Sequence, residues 1–124
     1  MTEEKVEPVG LIKMSMLAME KGKQFNVASG IEYAEGAVVS KTIIKEPTGT
    51  ITLFAFDKGQ ELSPHTAPYD ALAQVMEGKA TFTVGDERAE MESGEAIILP
   101  ANITHAIEAT ESLKMLLTMI KTNL

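Results

Sequence analysis

The two histidines are the residues of this chain best suited to chemistry, and they lie in similar surroundings. His65 ends the segment 59–65 and His105 ends the segment 94–105. Each segment contains a turn glycine, a short half-apolar stretch and a proline. Imidazole is the commonest metal ligand in proteins and the usual proton-transfer group near neutral pH. We expect each histidine to begin a new strand, and the two side chains to converge at the mouth of a β-barrel.

The composition excludes several classes of function. A chain of 124 residues fits one domain. The formal charge of −7 argues against nucleic acid or an anionic membrane as a partner. Without cysteine there is no disulfide, thiolate metal site or thiol nucleophile, so a metal would need nitrogen and oxygen ligands. The charged N-terminus does not resemble a signal peptide and no apolar run is long enough to span a membrane, which predicts a cytoplasmic protein.

The pattern of the chain predicts an all-β fold. Short β-branched and apolar stretches alternate with turn residues at intervals of roughly ten residues, which is typical of a sandwich or barrel. Gly85-Asp86 is a two-residue hairpin signal. The predicted strands cover residues 37–44, 50–56, 71–77, 79–84, 88–92, 95–99, 104–110 and 113–121.

Two of these strands, 71–77 and 113–121, are apolar on both faces. A strand of this kind needs a cover on each side. We expect a homodimer to supply the outer cover, with residues 1–23 as an N-terminal arm that pairs with the partner subunit and residues 24–124 as a single barrel domain. The alternative is that the N-terminal segment covers these faces within one subunit.

The span 59–109 resembles the two-part signature of the cupin superfamily. The matching positions are Gly59, His65 and Gly78 in the first part, and Gly94, Pro100 and His105 in the second. Asn102 stands where the signature has glycine, and asparagine tolerates the left-handed conformation that a turn requires. The resemblance implies a double-stranded β-helix, which is a jelly-roll barrel, in a small single-domain cupin.

The signature is incomplete at its metal ligands. The resemblance implies a zinc, iron, manganese or nickel ion held by two histidines and a glutamate of the first part and by the histidine of the second. Ala67 and Ala71 replace the second histidine and the glutamate, and Ala109 replaces a later asparagine. Two imidazoles leave a divalent ion short of donors. Asp70, in the loop after the missing histidine, is the candidate third ligand.

The replacements also predict a pocket. Small side chains that point inward leave volume, and such volume holds bulky neighbours, water or a ligand. An apolar pocket with a few polar groups at its rim is the usual setting for a small-molecule site. The expected pocket residues are Ala67, Ala71, Ala73, Ala109, Tyr69, Phe54, Phe56 and Met115.

Three functions remain open at this point. In the first, the barrel binds a small apolar or carboxylate-bearing molecule, with His65 and His105 as hydrogen-bond partners. In the second, the two histidines and Asp70 hold the metal of an isomerase, lyase or dioxygenase. In the third, one histidine acts as the acid or base of a metal-free isomerase.

Overall fold

The computed structural model describes residues 19–121 together with the backbone of residues 3–7 and 12–15. Within these ranges the fold is all-β apart from one turn of 3-10 helix at Ala28–Gly30. No helix in this part of the chain has the length and apolar character needed to cross a membrane. The strands are β1 (Glu3–Glu7), β2 (Ile12–Ser15), β3 (Val38–Glu46), β4 (Gly49–Phe56), β5 (Glu61–His65), β6 (Asp70–Glu77), β7 (Lys79–Val84), β8 (Glu87–Glu92), β9 (Ala96–Leu99), β10 (His105–Ala109) and β11 (Leu113–Ile120).

The strands form two sheets that enclose one core. The larger sheet has the order β1-β2-β3-β4-β11-β6-β9, and the smaller one has the order β5-β10-β7-β8. Neighbouring strands are antiparallel except for β2 and β3, which are parallel. Phe56, Phe82, Leu113 and Met115 are fully buried between the sheets. The predicted jelly-roll barrel is therefore confirmed, and the hairpin at Gly85-Asp86 joins β7 to β8 as expected.

The first histidine segment differs from the prediction. Residues 61–65 form a separate strand, β5, so His65 ends a strand instead of beginning one. Four of the five residues of β5 are exposed, and the pairing of β5 with β10 shifts between Leu62 and His65. A proline, Pro64, lies at this bulge on an edge strand, where a missing N–H is tolerated. An exposed edge strand with a bulge has no regular apolar alternation, which is why the sequence pattern did not reveal it.

The barrel has a closed end and a mouth. At the closed end, the Gly59 N–H donates to the Ala109 carbonyl at 2.8 Å, so the turn before β5 meets the end of β10. At the mouth, the Asn102 N–H donates to the Ala67 carbonyl at 2.7 Å, which joins the loops before β6 and β10. Asn102 has a φ of 64°, the left-handed conformation expected at this position.

Part of the outer face of the larger sheet is covered by the segment 19–37 of the same chain. Ile31 of this segment packs against Val39, Leu53 and Ala55. Two lysines of the sheet hold the 3-10 turn in place, since Lys41 Nζ and Lys114 Nζ donate to the carbonyls of Gly30 and Ala28 at 2.8 and 2.6 Å. The N-terminal part of the chain therefore supplies some of the cover within one subunit.

The N-terminal arm itself is described only in its backbone. β2 pairs with β3 of the same chain, which places the arm at one edge of the larger sheet. Residues 16–18 lie outside the described residues. Pairing of residues 1–23 with a partner subunit stays a prediction.

We expect the substitution Gly78→Ala to be much more destabilising than Gly94→Ala. Both glycines have a positive φ, of 89° and 93°, so both variants lose about 1–2 kcal/mol to backbone strain. A Cβ at Gly78 would also collide with the backbone carbonyl of Ser112, whereas a Cβ at Gly94 meets nothing within 4 Å. Urea unfolding followed by circular dichroism measures both losses. Equal losses in the two variants would contradict the close approach of Gly78 to Ser112.

Candidate functional site: the histidine pair at the barrel mouth

The structure brings the two histidines into contact. In the antiparallel pairing of β5 with β10, His65 lies directly opposite His105. Their ring centroids are 4.3 Å apart with an interplanar angle of 68°, which is an edge-to-face arrangement. Both rings lie at the end of the smaller sheet that borders the mouth. Two residues that are distant in the chain therefore form one site.

The hydrogen bonds of the two rings determine which nitrogen atoms are free. His65 Nδ1 lies 2.7 Å from the Ser63 carbonyl oxygen, and His105 Nδ1 lies 3.3 Å from that of Ile103. A carbonyl oxygen only accepts, so each Nδ1 carries the hydrogen. In the neutral ring, Nε2 then remains as an acceptor with a free lone pair. The pair therefore presents two Nε2 atoms for a ligand.

His105 stays neutral more readily than an ordinary histidine. It is a buried residue, with 7% of its surface exposed, while His65 is exposed. Burial lowers the pKa of His105 below its ordinary value of 6.5, and the neighbouring charge of His65 lowers it further. The hydrogen bond to the Ile103 carbonyl opposes this shift. Near pH 7, His105 is therefore an uncharged proton acceptor.

The residues at the mouth do not complete a resident metal site. Among residues 19–121 there is no group of three or more histidine, aspartate or glutamate side chains placed to hold one ion. Asp70 Oδ1 instead accepts a hydrogen bond from the Ala101 N–H at 2.8 Å, which ties together the loops at the rim. Catalytic zinc sites generally have three protein ligands, and ferrous sites with two histidines also have a carboxylate. Two imidazoles alone fall short of both.

The expected pocket residues are divided between the two ends of the barrel. Ala71 is paired with Leu99, close to the rim, and the Ala67 carbonyl is part of the rim itself. Ala73 is buried one inward position deeper, opposite Leu117. Phe54 lies opposite Met115 in the middle of the larger sheet.

Ala109 and Phe56, both expected to line the pocket, lie away from the histidine pair. Ala109 ends β10 at the closed end, four residues beyond His105, while Phe56 is paired there with Leu113. Both side chains are buried in the core, so they point inward at a different depth from the histidines. Strand alternation specifies which face a side chain occupies and not its distance from the mouth.

The structure adds a cation at the mouth that the sequence analysis did not single out. Lys121 directly follows β11, and its Nζ lies 5.8 Å from the centre of the Tyr69 ring. The Lys121 N–H donates to the Thr48 carbonyl at 2.8 Å, which holds this end of the chain against the β3–β4 turn. Met119, two residues earlier, packs against the core from the same face of β11. Residues two apart in a strand point to the same face, so the inward direction of Met119 could have predicted that Lys121 points to the mouth.

The comparisons with known proteins agree with the fold. A family model described as a cupin domain matches residues 52–121. The chain belongs to the cupin domain family. No curated protein matches this cupin.

Solved structures support the same assignment. A conserved protein of unknown function from Streptococcus pyogenes is 30% identical with a TM-score of 0.82, covering 88% of this chain and 96% of that one. A cupin 2 conserved barrel domain protein from Leptotrichia buccalis is 44% identical with a TM-score of 0.75, covering 78% of this chain and 47% of that one. A cupin superfamily protein from Desulfitobacterium hafniense is 25% identical with a TM-score of 0.79, covering 86% of this chain and 98% of that one.

We expect His105 to titrate below pH 6.5 in this cupin, and its pKa to rise in the variant His65→Gln. The variant removes the charge of His65, which is the smaller cause of the lowered pKa. Burial of His105 is the larger cause, and it still keeps the pKa below 6.5. The measurement is a histidine NMR titration of both proteins.

The same shift has a consequence for stability. Between pH 6.5 and the lower folded-state pKa, the unfolded chain binds the proton and the folded chain does not. The free energy of unfolding therefore falls as the pH drops through this range, and His105→Gln should remove that part of the decrease. A His105 pKa at or above 6.5 would contradict the burial of the ring.

Proposed function

We propose that this cupin binds a small carboxylic acid at the barrel mouth. The observation that carries the proposal is the contact between His65 and His105, with both Nδ1 atoms engaged and both Nε2 atoms free. His105, neutral at pH 7, accepts a hydrogen bond from a hydroxyl or acid group of the ligand. His65, when protonated, donates to a carboxylate oxygen, and the Lys121 ammonium at the same end attracts the negative charge.

The inner wall of the mouth is apolar and can contact the aliphatic part of such an acid. Ala71 and Met119 lie opposite each other on the inner face of the larger sheet, and both pack with the core. Small and flexible side chains accommodate an aliphatic body. Burial of that body supplies the affinity, while the imidazoles and Lys121 orient the polar end.

Metal-free acid–base isomerisation is the second candidate function. It is favoured by the depressed pKa of His105, which leaves an unprotonated Nε2 beside an apolar wall. A general base is effective when it is unprotonated at the working pH and lies in hydrogen-bond reach of the proton that it removes. The same bound acid would then be a substrate.

A metal-dependent enzyme is less well supported, because only two protein donors meet at the site. Zinc, iron, manganese or nickel held by His65 and His105 would need its remaining donors from the bound molecule. Asp70, whose Oδ1 accepts from the Ala101 N–H, is not grouped with the two histidines in the described part of the chain. Elemental analysis of the untagged protein distinguishes this candidate, since we expect less than stoichiometric metal after mild chelation.

We expect aliphatic mono- and dicarboxylic acids to raise the melting temperature, and the corresponding alcohols and amides to leave it unchanged. A ligand at 100 times its Kd stabilises the folded state by about 2.7 kcal/mol. Lys121→Gln should weaken binding about tenfold because one charged hydrogen bond is lost. The double variant His65→Gln, His105→Gln should abolish binding. The measurements are thermal shift and calorimetry.

Lys79→Gln is the matched control for Lys121→Gln. Lys79 is an exposed lysine that begins β7 at the closed end of the barrel. This variant should bind the acid like the unaltered protein. If the control and Lys121→Gln lose affinity equally, the effect of Lys121 is one of net charge alone and the site is not at the mouth.

We also infer that two copies pair through the outer face of the larger sheet. Five cross-strand neighbours without charge form one row across this face: Ile98, Leu72, Thr118, Ile51 and Ile44. Ile98 and Ile44 are 64% and 50% exposed. The row extends on both sides of β11, so a second copy related by a twofold axis near Thr118 would place apolar side chains against apolar side chains.

We expect a dimer by light scattering, and dissociation to monomers in the variant Ile98→Glu, because the substitution buries an unpaired charge in the interface. The control is Ile103→Glu, since Ile103 is also exposed, at 42%, but lies in the loop between β9 and β10. A monomeric unaltered protein, or dissociation in both variants, would rule out this interface.

A further inference from the structure

A cavity lies on the outer face of the smaller sheet, behind the histidine pair. It has a volume of about 380 Å³. Its lining comes from all four strands of that sheet and includes Ala106 and Glu108 of β10. Successive side chains of a strand point to opposite faces. Since His105 and Ile107 are buried on the inner side, Ala106 and Glu108 belong to the outer one. We call this cavity the outer groove.

The pairing of the strands explains why a cavity forms there. Ala106 lies directly opposite Thr83 on β7, and the bulge of β5 lies on its other side. The small methyl group of Ala106 leaves a depression in the middle of the sheet, bordered by Thr83 and Pro64. The depression therefore has the Ala106 methyl group as its floor, with the hydroxyl groups of Thr83 and Thr81 in its lining. The Thr81 hydroxyl donates to Glu90 Oε2 at 3.2 Å, so a further carboxylate lies on β8 beside the groove.

The charged side chains that line the outer groove are separated into two regions. Glu61 and Glu108 are directly opposite each other on β5 and β10, and both are exposed. Arg88, the single arginine of the chain, lies on β8 opposite Thr83. β10 and β8 are two strands apart, which corresponds to about 10 Å between their backbones. The groove thus has two carboxylates at one side and a guanidinium at the other.

These charges have no partners in the described part of the chain. The ion pair found there joins Lys58 to Glu111, which are not groove residues. Like charges directly opposite each other in a sheet are destabilising. A cationic group between Glu61 and Glu108 would remove that repulsion, and a carboxylate would form a bidentate pair with Arg88.

We propose that the outer groove is a second binding site, for a small zwitterion with an aliphatic body, of the ω-amino acid class. Its ammonium group lies between Glu61 and Glu108, its carboxylate meets Arg88, and its methylene groups cover Ala106 and Pro64. Neither the groove nor its charged residues belong to the histidine site, because the two sites occupy opposite faces of the same strands.

The test uses three probes of the same length: ε-aminocaproate, hexylamine and hexanoate. Because the mouth is also proposed to bind aliphatic acids, the calorimetry uses the full chain with His65→Gln and His105→Gln. It should give saturable binding of ε-aminocaproate that is at least about tenfold tighter than that of hexylamine or hexanoate, since each fragment lacks one charged contact. In NMR spectra, the residues that shift should include Ala106 and Arg88. Equal affinity for the three probes, or no saturable binding of ε-aminocaproate, would overturn the proposal.

Charge-neutral variants of exposed residues test the two ends of the groove one at a time without disturbing the core. Arg88→Gln should bind ε-aminocaproate no more tightly than the protein with an intact groove binds hexylamine. Glu108→Gln should bind ε-aminocaproate no more tightly than the protein with an intact groove binds hexanoate. Glu87→Gln is the matched control, because Glu87 is exposed on the same strand as Arg88 and does not line the groove. Unchanged affinity in both groove variants, or an equal loss in Glu87→Gln, would overturn the assignment.

The variant His105→Gln distinguishes the groove from the mouth. It should retain binding of ε-aminocaproate and lose binding of the carboxylic acids proposed above. Loss of ε-aminocaproate binding in His105→Gln, with no effect of Arg88→Gln, would mean that the zwitterion binds at the mouth and that the outer groove is not a site.

Discussion

The antiparallel pairing of β5 with β10 is the constraint on which the site depends. It places His65 opposite His105, and a slip by one residue would turn one of the rings to the outer face of the sheet. β5 is an edge strand of which only Leu62 packs against the core, so burial of its own side chains contributes little to its register. The turn at Gly59 and its hydrogen bonds with the end of β10 hold the register instead. The geometry of the histidine pair therefore depends on contacts at the closed end of the barrel.

Successive residues of a strand point to opposite faces, so each sheet presents two different surfaces. In the smaller sheet, His105 and Ile107 face the core, while Ala106 and Glu108 face the outer groove. In the larger sheet, Ala71 and Met119 face the mouth, while Leu72 and Thr118 belong to the apolar row on the outside. The proposed mouth site, outer groove and dimer surface thus use alternate residues of the same strands. A substitution at any one of them leaves the side chains of the other faces in place.

The outer face of the larger sheet is covered in part by the chain itself. The segment 19–37 protects the part near Leu53 and Ala55, where its 3-10 turn is held by two lysine ammonium groups. Tyr33 Oη also donates to Glu77 at 2.6 Å, and burial together with this carboxylate raises the pKa of Tyr33. In the row from Ile98 to Ile44, three side chains remain exposed: Ile98 at 64%, Leu72 at 36% and Ile44 at 50%. The proposed second copy would cover exposed residues of the same face that do not belong to the cluster under this segment.

Local features of the sequence determined the fold and the location of the site. Positive φ at Gly78, Gly94 and Asn102, alternation within the strands and the spacing of the cupin signature all act over a few residues. Only the tertiary structure decided the depth of Ala109, the engagement of Asp70 with the Ala101 N–H, the approach of Lys121 to Tyr69 and the existence of the outer groove. These depend on which strands are neighbours and in what register. Such pairings join residues far apart in the chain, so no local pattern encodes them.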